Sequence, residues 1–134
     1  MERTTDRKYI LDSDHNPVLE PDLIKWATWF EHDKRIVCQQ HVGLIFVSTV
    51  FLGIDHNFYQ AGPPLLFETM TFPGDLQFRC STWKQAEVQH KAVCLMARSP
   101  RLQLAALWEI VSFAKYRRRQ SLKRLIEQSK TWMT

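Results

Sequence analysis

Residues 46–70, FVSTVFLGIDHNFYQAGPPLLFETM, set two apolar runs around a short polar connection, and the reading of this stretch decides the fold. The runs at 45–52 and 65–72 are rich in β-branched and aromatic residues, so they read as two buried strands. The link at 53–64 holds Asp55, His56, Asn57, Tyr59 and a Gly-Pro-Pro turn. An acid and an imidazole side by side between two strands make this link a candidate site.

Working outward, Gly43 permits a hairpin back into an alternating run at 35–42. Ile36, Cys38 and Gln40 are expected on one face of that run, and Val37, Gln39 and His41 on the other. On the far side, Pro73-Gly74-Asp75 signals a turn into a shorter strand at 76–80. Upstream, Tyr9-Ile10-Leu11 reads as an edge strand and 12–17 as a connection of turn residues. A helix is expected over 21–32, with Pro21 at its first position, Asp22 in its first turn and Leu23, Trp26, Ala27 and Phe30 on its apolar face. A second helix is expected over 82–98. Its start fits a capping box, Thr82-x-x-Gln85, and Trp83, Ala86, His90, Val93, Cys94 and Ala97 fall on or near one face.

After Ser99-Pro100 no Gly or Pro interrupts the chain to residue 134, which predicts one long helix, bent near Tyr116. Leu104, Leu107, Trp108, Val111 and Ala114 make its first apolar stripe, and Leu122, Leu125 and Ile126 continue a narrower edge. The expected class is therefore α+β: an antiparallel sheet of about four strands packed by two helices, plus the long C-terminal helix. The domain division is a core at 1–98 and a helical extension at 99–134.

With 134 residues and 45% hydrophobic content, one domain can bury a genuine core. No apolar run of about 18 residues and no signal-like opening is present, so a cytoplasmic protein without a membrane partner is expected. The three cysteines, Cys38, Cys80 and Cys94, are odd in number and lack CxxC pairing, which suits reduced thiols better than disulfides or zinc. Charge is distributed unevenly. Residues 99–134 carry eight Lys plus Arg against two Glu, whereas residues 1–98 carry ten against twelve acids.

Asp55, His56, Glu68 and His90 are the residue types that acid–base chemistry or a divalent metal would use. Their spacing matches no ligand motif, so the bland reading is a hydrogen-bonded loop, and no metal, cofactor or catalytic set is assigned. Cys80 and Cys94 lack a base at a recognisable offset. Ser48 and Thr49 lack a nucleophile-elbow setting, and four glycines leave no room for a phosphate loop. The strongest functional signal is cationic: Lys115, Arg117, Arg118, Arg119, Lys123 and Arg124 suit phosphates or an acidic protein surface.

The blocks at 47–56, 63–70 and 81–90, together with Tyr9-Ile10-Leu11-Asp12 and Trp26-Ala27-x-Trp29-Phe30, carry a resemblance over residues 8–92. They resemble a family of small proteins from tailed phages and prophages. The turn at 73–76 is shorter than the family's glycine-rich loop, and the basic tail after residue 98 looks like an addition. The resemblance implies a phage setting and no particular activity. The expectation is a phage-encoded, non-enzymatic accessory protein that binds a host macromolecule, foremost an inhibitor of a bacterial defence protein such as a CRISPR effector. A DNA- or RNA-binding regulator and a small metal-dependent hydrolase are the alternatives.

Overall fold

A computed structural model describes residues 6–59 and 61–132. The order is β1 (Tyr9–Leu11), β2 (Pro17–Leu19), α1 (Leu23–His32), β3 (Ile36–Val42), β4 (Ile45–Phe51), β5 (Phe67–Phe72), β6 (Gln77–Cys80), α2 (Trp83–Ala97) and α3 (Pro100–Trp132). Strands β3-β4-β5-β6 form an antiparallel meander in sequence order, and β1 and β2 form a separate two-stranded sheet. The α+β class expected from the sequence is what the chain adopts.

The alternation of β4 and β5 explains which face is buried. Val47, Thr49 and Phe51, with Phe67, Thr69 and Thr71, are removed from water on the face that α2 covers. Two apolar clusters fill the interface. Ile45, Val47, Val93, Cys94, Ala97 and Ala106 make one, and Leu11, Phe51, Leu66, Phe67 and Ala86 make the other. Each fully buried Phe contributes about 2–3 kcal/mol by leaving water. The capping box of α2 forms as its sequence requires: Gln85 N–H donates to the Thr82 hydroxyl while the Gln85 side chain accepts from the Thr82 N–H.

Three local expectations are corrected. Asp22 is the N-cap of α1, its carboxylate accepting from Ile24 and Lys25 N–H, so the helix starts one residue beyond the acid. Helix α1 packs chiefly on β1 and reaches the four-stranded sheet at its end, where Trp29 meets Phe51 edge-on at 5.5 Å. Its Trp26 indole N–H lies between the carbonyls of Tyr9 and Gly53, at 3.1 and 3.0 Å. Helix α2 is thus the main cover of the sheet. The third correction is in β3, where a bulge between Ile36 and Cys38 shifts the register. Ile36 turns outward, 53% exposed, while Val37 packs in the core.

Strand β2 lies in and beyond what reads as a turn. The Asp12 carboxylate accepts from Asp14 and Asn16 N–H, and His15 takes a positive φ of 62°, which closes the connection tightly enough for Pro17–Leu19 to pair with β1.

Helix α3 is continuous through the described residues and, at 33 residues, about 50 Å long. Its first turns belong to the body: Ala106 is buried and Leu102 packs beside it. Gln103 is the clamp. Its Nε2 donates to the carbonyls of Ala97 (2.6 Å) and Val42 (2.8 Å), and its Oε1 accepts from Leu44 N–H (2.9 Å). One side chain therefore ties the end of α2, the β3–β4 hairpin and α3 together. Gly43 holds a φ of 58° there, and a Cβ on it would sit 2.5 Å from Gln103 Oε1. Gln103→Ala is expected to cost about 2 kcal/mol, because three backbone groups lose their partner. A lower urea midpoint, with faster amide exchange at Leu44, is the check.

Candidate functional site

The loop after β4 is shaped by Asp55. This side chain is 5% exposed, and its Oδ1 accepts from Asn57 N–H (2.7 Å) and Leu65 N–H (3.0 Å), pinning both limbs of the loop. Asn57 repeats the device one layer out, its amide donating to the carbonyls of Ala61 and Pro63. The Arg7 guanidinium donates to the Asp55 carbonyl and lies 4.5 Å from the Phe58 ring centroid. His56 is turned back, Nδ1 bonded to the Ile54 carbonyl at 2.7 Å. Asp55 Oδ1 thus serves the backbone amides that shape the loop.

Glu68 and His90 stand on opposite sides of the sheet. Glu68 projects away from the α2 face between Phe67 and Thr69, pairs with Arg79 at 3.0 Å and accepts from Gln77. His90, on the inner face of α2, is 3% exposed and bonds Thr49 Oγ1 through Nδ1 (2.7 Å) and Gln40 Oε1 through Nε2 (3.1 Å). Thr49 and Thr69 hydroxyls are 2.7 Å apart, extending the network across β4 and β5. The structure does not gather the four candidates, and among the described residues no three His, Cys, Asp or Glu are grouped to hold a metal. The thiols are equally quiet: burial pushes Cys80 up to about 11 and raises Cys94 as well.

Burial holds the His90 imidazole below its ordinary pKa. Its neutral form fits the site, with Nε2–H facing an acceptor, the Gln40 carbonyl oxygen, and Nδ1 free to accept from Thr49. Because the folded pKa is depressed, the unfolded chain takes up the proton first as pH falls. Stability is complete above the unfolded value near 6.5 and declines below it towards the folded value. The thermal midpoint is expected to drop between about pH 7 and 5. His90→Gln should flatten the part of that slope due to this group, which differential scanning calorimetry would resolve.

The C-terminal helix is the contrasting element. Lys115, Arg117, Arg118, Arg119, Lys123 and Arg124 are all exposed. Among the described residues none is ion-paired with the body. Within α3, Lys130 pairs with Glu127, and Arg117 leans on Phe113. The contacts that attach α3 come from Leu102, Gln103, Ala106 and Glu109, whose carboxylate accepts from Gly74 N–H at 3.2 Å. The chain matches no family model, no curated protein and no solved structure. What the cationic helix does therefore has to be argued from its own geometry.

That geometry contains a feature the sequence reading did not extract. The stripe of Leu104, Leu107 and Trp108 is turned to solvent, Trp108 being 71% exposed, while Leu102 and Ala106 make the body contact. Apolar periodicity identifies a stripe but not the direction it faces, and only the packing of α3 on the hairpin resolves that. No helix among the described residues is long and apolar enough to cross a membrane.

Proposed function

We propose that the chain is a non-enzymatic binding protein whose working surface is the distal part of α3. The observation that supports this most directly is that six Lys and Arg side chains between residues 115 and 124 are exposed on a helix leaving the body and, among the described residues, are ion-paired with no carboxylate of it. Solvated cations held at fixed spacing are available to a polyanion or an acidic surface at little reorganisation cost. The four loop and sheet candidates each make hydrogen bonds that shape the fold. The resemblance to tailed-phage proteins directs the reading to a host macromolecule, in the bacterial cytoplasm, and foremost to inhibition of a defence protein such as a CRISPR effector.

Truncation at residue 98 is a poor test, because it would uncover the core that Leu102 and Ala106 close. Charge removal on the full chain is cleaner. With Arg117, Arg118, Arg119, Lys123 and Arg124 all changed to Gln, capture of the host macromolecule from a nuclease-treated bacterial lysate is expected to fall at least about tenfold. The thermal midpoint should stay within a few degrees, since these side chains are exposed. Undiminished capture by the variant would remove α3 from the function.

A further inference from the structure

The distal helix carries more than charge. Leu104, Leu107 and Trp108 recur as Leu122, Leu125 and Ile126, each pair 18 residues apart, which is about five helical turns or ~27 Å. All six are 46% exposed or more. At about 100° per residue the two triplets share one side of α3, the side away from Leu102 and Ala106 that rest on the body. Between them, on the same side, lie Lys115 and Arg118, with Arg119 at its edge, whereas Arg117 falls on the opposite side over Phe113. This side of α3 is thus an apolar patch, a cationic belt, and a second apolar patch in line, while Ile110 and Phe113 are exposed on the other side.

We infer that this face of α3 seats in a groove of an acidic protein, with two apolar pockets about 27 Å apart and carboxylates between them. The inference rests on the reading of α3 as the binding surface and narrows its partner. Phosphate binding makes use of the belt and leaves six large apolar side chains in water, so nucleic acid accounts for half of the surface. A lipid surface is flat, and would have to take Lys115 and Arg118 into the same plane as the leucines. A second copy of α3, parallel or antiparallel, would bring belt against belt and pay like-charge repulsion at the centre of the contact. A protein groove can alternate apolar floor and carboxylate rim along its length, and Arg gives bidentate contacts there.

Calcium-loaded calmodulin supplies that chemistry as a probe: an acidic protein whose flexible, methionine-rich groove adapts to anchor spacing. The full chain would be titrated at about 0.15 M salt against calmodulin, a short DNA duplex and phosphatidylglycerol vesicles, with its oligomeric state followed by light scattering. Calmodulin is expected to bind tightest. Both L122S/L125S/I126S and K115Q/R118Q/R119Q should weaken it at least about tenfold while the fold is retained by circular dichroism. Tighter binding to DNA that ignores the apolar substitutions overturns the inference in favour of nucleic acid. Preferred binding to vesicles, dimers that strengthen with added salt, or no binding to any probe overturn it equally. In the DNA outcome the function proposed above survives, because the arginines still bind. Charge-independent capture from lysate is the separate result that removes the reading beneath.

Discussion

Asp55→Ala is expected to destabilise the fold by about 3 kcal/mol, since two backbone N–H groups in a part-buried loop, those of Asn57 and Leu65, lose the oxygen they share. For a domain of this size the thermal midpoint should fall by roughly 10 °C. Asp55→Asn keeps an oxygen in the same place and should cost much less, about 1 kcal/mol. The comparison separates acceptor geometry from negative charge as the source of the stability Asp55 provides. If Asn were as damaging as Ala, the negative charge rather than the acceptor geometry would be what matters at Asp55. Thermal melts of the two variants side by side decide between these accounts.

The largest stability loss is expected at Phe51. It is completely buried at the last position of β4, meets Trp29 of α1 at 5.5 Å and Phe67 of β5 at 5.2 Å, and belongs to the cluster that includes Leu11 of β1. Phe51→Ala removes the group on which α1, the small sheet and the main sheet converge. A loss of about 4 kcal/mol follows from the lost burial and the cavity left behind. That is a large fraction of a typical domain's total stability, so the variant should be substantially unfolded near 37 °C. Leu23→Ala on the exposed side of α1, at 64% exposure, should stay within about 0.5 kcal/mol. A Phe51 variant as stable as the Leu23 variant, measured by urea unfolding, would mean that α1 and the small sheet are not anchored through this ring.

The order of elements was legible wherever local signals agreed with packing. The β4 run, the Gly43 hairpin, the Pro73-Gly74-Asp75 turn and the Thr82–Gln85 capping box are short-range features, and each produced the element it predicts. Other features depend on contacts distant in sequence. The outward turn of Ile36 needs a bulge that no alternation shows, and β2 exists because Asp12 closes the preceding turn. The proximity of Asp55, His56, Glu68 and His90 suggested by their residue types dissolved on folding, because strand alternation sends Glu68 to the face opposite Thr69 and the His90 network.

By itself the amino-acid order determined the α+β class and the placement of positive charge, because periodicity, capping and composition are carried by neighbours along the chain. Tertiary structure alone decided which side of α3 meets the body. The Gln103 clamp reaches across some sixty residues to Val42 and Leu44, and once it is made, Leu104, Leu107 and Trp108 must face outward with the cations beyond them. Local sequence specifies what a helix is made of, and long-range hydrogen bonds and packing specify where it points.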